Sequence, residues 1–405
     1  MADQPDLVVR NAHLRGRESP LDIVVDDGRI RSLEPEAAGG DRELDAAGRL
    51  VSPGLVDAHV HLDMAFSAGD GRRPRYNDGP TDLAANIEAT AAYFDETPES
   101  VLEERIERAV RLAAANGVVH LRSHTYVDGT VGARVVRLLD RVRERLDHLV
   151  DLQLVSFPQR GIGVDAGSLD ALRSGLEAGA DLVGGLDPHG RNGDRAGTIE
   201  AWFDLAVEHG VGVDVHLHER GEAGIESLER LAAATRDRGL EGRVAASHAF
   251  ALADAGESER RRLLESLGDA GVGVVTCYQS TPPSMPIRAF DAAGQGMAHG
   301  TDQVRTLWSP HGNADALGAM LVESLRLDTP GTNDDLAALW RLITANGARV
   351  MGLEGYGIEP DTPADLVVHD ARSPEWAILT GSTPAYVVKA GRVVAEDGAV
   401  ADDVN

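Results

Sequence analysis

The sequence predicts an α/β fold: a (β/α)8 TIM barrel carrying a small β-sandwich domain built from both termini. Three observations lead there. Strand-length apolar runs alternate with helix-period segments from residue 54 to residue 302, the pattern that wraps a parallel sheet in helices. Both ends of the chain instead repeat short β segments separated by turns. Polar, histidine-rich residues recur where the internal strands end, on the face where barrel active sites lie.

Near the N-terminus, Leu7-Val8-Val9 and Leu21-Asp22-Ile23-Val24-Val25 read as strands. Asp26-Asp27-Gly28 then turns the chain into Arg29-Ile30, which is tight-hairpin chemistry. Barrel strands are predicted at 54–62, 118–127, 151–159, 182–188, 211–218, 243–249, 271–278 and 296–302. Helical spacing fills the gaps at Val101–Asn116 (stopped by Gly117), Arg134–Leu146, Ile225–Arg238, Glu257–Leu267 and Asp315–Leu327. Ser67–Pro80 is a long polar loop after the first barrel strand, where an active-site lid is expected. Ala364–Val368 and Ala385–Val394 resume the β pattern. The expected division is a composite sandwich, 1–52 plus 363–405, beside a catalytic barrel, 53–362.

Composition narrows the function classes. With 66 Asp and Glu against 39 Lys and Arg, the net charge is −27, which argues against nucleic acid and anionic membranes as partners. No apolar run is long enough to span a bilayer, and the acidic first residues lack the apolar stretch of a signal peptide. The single cysteine, Cys277, cannot form an internal disulfide and fits a reducing cytoplasm. Lys389 is the only lysine. An acidic, arginine-based surface suits a salt-rich cytoplasm, where ions screen carboxylate repulsion; a halophilic source is the expectation.

The chemistry starts in Leu50–Phe66, LVSPGLVDAHVHLDMAF. His59 and His61 are two apart on a strand, so both imidazoles aim at one spot. Strand two ends in Arg122-Ser123-His124, strand three in Phe157-Pro158-Gln159 and strand four in Asp187-Pro188-His189. Strand five ends in His216-Leu217-His218-Glu219, strand six in Ser247-His248, strand seven in Cys277-Tyr278-Gln279 and strand eight in His299-Gly300-Thr301-Asp302-Gln303. One histidine at a strand end is usually structural. Histidines on strands one, five and six with an aspartate on strand eight converge on one mouth. Three imidazole nitrogens and one carboxylate oxygen suit a borderline divalent ion, Zn²⁺ or Fe²⁺, and an open position would hold a water whose pKa the ion lowers.

These motifs resemble the amidohydrolase superfamily over nearly the whole chain. The resemblance lies in PGLVDAHVHLD, the HxxE of HLHE, SHAFAL, GTD and the terminal GIEPDTPADLVV. Within it, RSHTYVD, DLQLVSFPQRGI and VDVHLHE look like the cytosine deaminase branch, and CYQSTPPSMP, QVRTLWSPHGNADAL and LWRLITANGARVMGLEGYGI look like its triazine-degrading members. The resemblance implies one divalent metal ion per chain, Zn²⁺ before Fe²⁺, held by His59, His61, His216 and Asp302. Binuclear members bridge their ions with a lysine on a barrel strand, and Lys389 lies outside the barrel. Glu219 is implied as the acid/base that moves a proton from water to the ring nitrogen. His248 would hold or polarise the attacking water, and Asp302 would also accept a proton. Gln159 would read an amide edge of the ring, since its side chain both donates and accepts, and Trp308 would be a flat wall.

Several positions depart from the family pattern, and Glu219 itself stands where the triazine branch has an aspartate. Met64 stands where the triazine branch has a lysine, and Gln303 where relatives have Asp or Asn. Leu307 replaces an Asp, and His218 stands where cytosine deaminase has an acid. Met64 and Gln303, with Gln159 and Trp308, are therefore the expected substrate-reading shell. The expected reaction is hydrolytic removal of ammonia or an amine from an aminated N-heterocycle, pyrimidine or s-triazine. Ring opening of a cyclic amide, as in dihydroorotase- or hydantoinase-like enzymes, ranks below it, because those mostly use the bridging lysine. A binding barrel without turnover ranks last. The family resemblance also implies a homo-oligomer acting on a small heterocyclic substrate.

Overall fold

The computed structural model describes residues 4–69, 83–165, 167–277, 285–327 and 332–401. Most of the expected lid, Tyr278 and Gln279, and most of CYQSTPPSMP lie outside the described residues.

The barrel strands are β6 (Leu55–Val60), β7 (Val118–Tyr126), β8 (Asp151–Phe157), β9 (Leu182–Leu186), β10 (Gly212–His216), β11 (Val244–Ser247), β12 (Val272–Cys277) and β13 (Met297–Gly300), preceded by β1 to β5 and followed by β14 to β17. Each pairs in parallel with the next, from β6 to β13. The ring closes just past β13: Asp302 N–H donates to the His59 carbonyl and His61 N–H to the Asp302 carbonyl, both at 2.8 Å. Gly300 permits that closure, because a Cβ there would fall 2.4 Å from the His59 Cβ.

All eight strands fall where the sequence predicts them, but each ends one or two residues earlier. The overshoot has a physical reason. The last predicted residues are the polar ones, and they leave the ladder to turn inward over the mouth. Helices pack outside. Glu99–Ala115 buries Leu102, Ile106, Ala109, Val110 and Ala113, one stripe at helical spacing. Gly221–Arg238 begins a turn before its predicted start, because Gly221 and Gly224 mask the helical signal. Among the described residues, no helix is long and apolar enough to cross a membrane.

The remaining strands form one mixed sheet from both termini. They are β1 (Leu7–Leu14), β2 (Leu21–Asp26), β3 (Arg29–Glu34), β4 (Arg42–Asp45), β5 (Leu50–Pro53), β14 (Leu366–His369), β15 (Pro384–Lys389), β16 (Arg392–Glu396) and β17 (Ala399–Val400). The order is β17-β16-β15-β14-β5-β1-β2-β3, with β4 also on β1. The expected hairpin joins β2 to β3: Asp27 and Gly28 both have positive φ, and Asp26 pairs with Arg29. β1 is bulged between Val9 and Ala12, where Asn11 takes φ +52°. Its first half pairs β2 and β4, and its end pairs β5. The two halves thus share one apolar cluster of Val9, Ile23, Val51, Leu366 and Val388 with their neighbours.

Lys389 fastens this sheet to the bottom of the barrel. Its Nζ lies 2.8 Å from Asp151 at the start of β8 and 2.8 Å from Asp365 just before β14. His120, at the start of β7, faces the same two carboxylates.

Candidate metal centre and active site

β6 and β10 deliver three imidazoles to the mouth, and the turn after β13 delivers a carboxylate. His59, His61 and His216 are buried, as is most of Asp302. The Asp302 Oδ1 lies 3.7 Å from His59 Nε2 and 3.6 Å from His61 Nε2, and His61 Nε2 lies 3.2 Å from His216 Nε2. Asp302 holds φ +63°, a conformation that Asp tolerates better than most residues. The two backbone bonds to β6 pin it there.

The ring orientations follow from the partners. Ser247 donates its hydroxyl proton to Asp214 Oδ1 at 2.7 Å, so toward His59 Nδ1, at 2.8 Å, it accepts. His59 therefore carries its proton on Nδ1 and leaves Nε2 bare. That Nε2 has no hydrogen-bond partner among the described residues. Asp214 is itself held by Arg122 Nη1 at 2.8 Å. The column Arg122–Asp214–Ser247–His59 is buried along its whole length. His61 turns its Nε2 toward Asp302 and His216. Asp57, fully buried, takes Thr301 N–H at 3.0 Å and Thr301 Oγ1 at 2.5 Å, tying the GTD turn to β6.

Burial and neighbouring imidazoles keep His59 and His216 well below the usual histidine range, and burial brings His61 to about 3. All three are neutral and can offer lone pairs. Burial pushes the Asp302 carboxyl up to about 6, against the Gln303 hydrogen bond. Buried lone-pair nitrogens facing one another and a carboxylate at 3.2–3.7 Å make chemical sense around a cation, so the donor set fits a divalent metal ion.

The other expected residues are placed as follows. His248 (φ +67°) sits with its ring centroid 4.9 Å from His59 and 5.0 Å from His216. Its Nε2 is buried and without a partner among the described residues. Trp308 packs on Phe157, Ile87 and Leu186 and donates from Nε1 to Thr90 at 2.7 Å. Phe157 in turn stacks on His216 at 4.2 Å. Gln159, buried after β8, has no side-chain hydrogen bond among the described residues. Two expected substrate contacts are otherwise employed. Gln303 spends its amide on Asp302 Oδ1, at 3.0 Å, and on the Thr306 hydroxyl, because its backbone bond to Thr301 folds it back over Asp302. Met64 is 1% exposed within the barrel's main apolar cluster, because the short turn Leu62–Met64 rolls it inward.

Glu219 also differs from expectation. Its Oε1 accepts the His189 and Gly190 N–H groups at 2.8 and 2.6 Å, and Oε2 accepts the Ser227 hydroxyl. The carboxylate is thus drawn to the loop after β9. The strand-five side chain set against the mouth is His218, 4.5 Å from His248 between ring centroids. Burial works to lower the His218 pKa, but Asp187, Asp302 and Glu219 outweigh it and raise it. Sequence reading assigns no role to His218, to His124 (4.0 Å from His59 between centroids) or to the Asp214–Ser247 pair. Strand alternation in VDVHLHE could have found Asp214 and His218, since both share a face with His216.

Barrel, mouth and donor set together define a metal-dependent hydrolase of the amidohydrolase type. The chain matches the amidohydrolase family across residues 42–395 and belongs to it; it is a hydrolase of carbon–nitrogen bonds. It is 37% identical to the N-isopropylammelide isopropyl amidohydrolase of Pseudomonas sp. strain ADP, over 98% of this chain and 99% of that one. The crystal structure of N-isopropylammelide isopropylaminohydrolase from Burkholderia multivorans superposes with a TM-score of 0.91 at 33% identity, covering 98% of this chain and 99% of that one. The 5-methylcytosine deaminase of Klebsiella pneumoniae, liganded with phosphonocytosine, gives 0.86 at 27% identity, covering 96% and 98%.

Proposed function

We propose that this chain is a metal-dependent aminohydrolase that removes ammonia or an alkylamine from an aminated N-heterocycle, an ammelide-like s-triazine or a cytosine-like pyrimidine. The names of the relatives support the substrate class. One observation carries the reading: the Nε2 atoms of His59 and His61 converge with His216 on Asp302, while the far nitrogen of His59 is already bonded to Ser247.

His59, His61, His216 and Asp302 would hold one divalent ion, Zn²⁺ in first place with Fe²⁺ as the alternative. When bound, such an ion lowers the pKa of water and polarises the substrate. His248 offers Nε2 to the attacking water, and burial keeps that ring neutral. Asp302, turned into the mouth beside His59 and His61, would take up a proton during the reaction and return it. Gln303 holds the Asp302 carboxylate in place. Gln159 presents a free amide to the N–C=O edge of the ring, and Trp308 with Phe157 forms the wall it lies on.

The ring nitrogen draws its proton from one of two neighbours in sequence. Glu219 is the group the family pattern implies, and it must leave three donors to act. His218 already faces Asp302 and His248 and carries its proton more readily than an ordinary histidine. Expected surroundings complete the proposal: cytoplasm of a salt-adapted cell, supported by the acidic surface and the single buried cysteine, and a homo-oligomer. The last is supported by exposed Val322, Leu325, Trp376 and Leu379 on two helices packed side by side.

The test is a release screen at high salt for ammonia and alkylamines from cytosine, isocytosine, isoguanine, ammelide, N-alkylammelides and creatinine, with metal analysis of the same sample. Turnover of at least one with about one ion per chain is expected. Ring opening without amine release, or full metal loading with no turnover of any, overturns the reading.

A further inference from the structure

We propose that His248, Cys277 and Asp302 form a second cation position in the barrel mouth, one that takes a thiophilic ion such as Cd²⁺ or excess Zn²⁺ and blocks turnover when filled. It rests on the metal-centre part of the proposed function, since Asp302 is shared, but not on the identity of the heterocycle.

Two donor clusters overlap in this mouth. One atom each from His59, His248, Cys277 and Asp302 lie within 4.8 Å of one another. The first centre uses His59 and Asp302 together with His61 and His216. It uses neither His248 nor Cys277. His248 is 4% exposed and its Nε2 has no partner among the described residues. Cys277, at the end of β12, is 1% exposed and is the only thiol in the chain. A carboxylate has two oxygens and can join two ions. An imidazole, a thiolate and a shared carboxylate thus stand ready beside the first ion.

The thiol makes this position selective. Thiolate ligands favour soft and borderline ions, whereas Mg²⁺, Ca²⁺ and Mn²⁺ prefer oxygen. On binding, the S–H bond breaks, an S–metal bond forms and the proton passes to solvent. The incoming ion takes a nitrogen of His248, the ring that the proposed function sets against the attacking water. It also draws on the Asp302 carboxylate, so inhibition is expected without loss of the resident ion. The resident ion need not compete, because His61 and His216 remain its own.

The experiment titrates Cd²⁺ into the holoenzyme while following the ultraviolet thiolate-to-cadmium charge-transfer band, with metal analysis after gel filtration. Expected is a band that saturates at one Cd²⁺ per chain beyond the resident ion, with activity falling in step and Mn²⁺ giving neither. The near-isosteric Cys277→Ser should lose the band. It should also need at least about tenfold more Cd²⁺ for half-inhibition, the lower end of what even an outer-shell partner's loss costs a metal site. The proposal fails if no band forms, if the band forms only as the resident ion leaves, or if Cys277→Ser is inhibited at the same Cd²⁺ concentration. Absorbance needs no substrate, so an undiscovered heterocycle leaves the binding arm of this test intact. Metal analysis of the untreated enzyme reports on the first centre alone.

Discussion

Replacing the only lysine with methionine should loosen the joint between the terminal sheet and the barrel. Lys389→Met keeps most of the apolar stem and deletes the ammonium that sits 2.8 Å from both Asp151 and Asp365. Asp365 is 7% exposed, so it would be left a buried carboxylate with the Ala390 N–H and His120 as neighbours. Breaking a buried pair by removing one partner costs about 3–5 kcal/mol. The Asp151 side chain is 54% exposed and rehydrates cheaply, so the lower end, about 3 kcal/mol, is expected. The loss has a pH signature. Burial alone would raise the Asp151 carboxyl; the His120 and Lys389 contacts outweigh it and hold it at about 2, below the ordinary value of about 3.9. A depressed carboxyl contributes stability above its unfolded pKa and loses it as pH falls through the folded one. The Asp151 share of the Lys389→Met penalty should therefore be full at pH 7 and shrink between about pH 4 and pH 2. Urea midpoints followed by tryptophan fluorescence at several pH values give both numbers. Asp365→Asn in the Lys389→Met background should recover part of the loss. A penalty under about 0.5 kcal/mol, the size of an ordinary surface substitution, or one independent of pH, refutes the reasoning, and with it the joint expected between 1–52 plus 363–405 and the barrel.

Ser247→Ala removes the acceptor that fixes the His59 tautomer; resident-metal affinity, read by chelator competition, should fall on the order of 10–100-fold, and an unchanged affinity would take Ser247 out of that role. Glu219→Gln and His218→Gln separate the two proton carriers. The one that drops kcat by about 10²–10⁴ with metal retained is the acid, and substantial activity in a variant clears that residue. Asp302→Asn should lose both bound metal and rate, so retention of a stoichiometric ion by that variant would contradict the donor set. Thermal unfolding should shift upward as KCl is added to the molar range, where the Debye length is about 3 Å; a midpoint indifferent to KCl removes the salt-adaptation reading.

The barrel was legible because its signals are local. Each strand is a short apolar run, and each site residue stands where the run turns polar. The GTD turn and the HxH pair are read the same way, and the structure brings them together. What sequence could not supply was the direction of side chains after they leave the ladder. Glu219 and His218 are adjacent, and only the loop after β9, through the N–H groups of His189 and Gly190, decides which one is drawn aside. Gln303 looked like a substrate contact because nothing local shows that Thr306 and Asp302 share its amide. Cys277 carried one reading, the absence of disulfides, because its nearness to His248 is made by two different strands.

The buried column from Arg122 through Asp214 and Ser247 to His59 bears on how such a chain can change its substrate. In many barrels the axis is apolar filler, and a methyl group more or less is absorbed by neighbours. Here the axis is a relay of charge and proton position whose far end is a bare nitrogen. A substitution at Arg122, halfway along β7, is felt as a wrong tautomer at the mouth. The interior is consequently frozen together with the chemistry. The freedom to vary lies at the rim, where Gln159 and Leu307 can be exchanged without disturbing His59. New specificities in this architecture should arise by rim replacement around an unvarying axle.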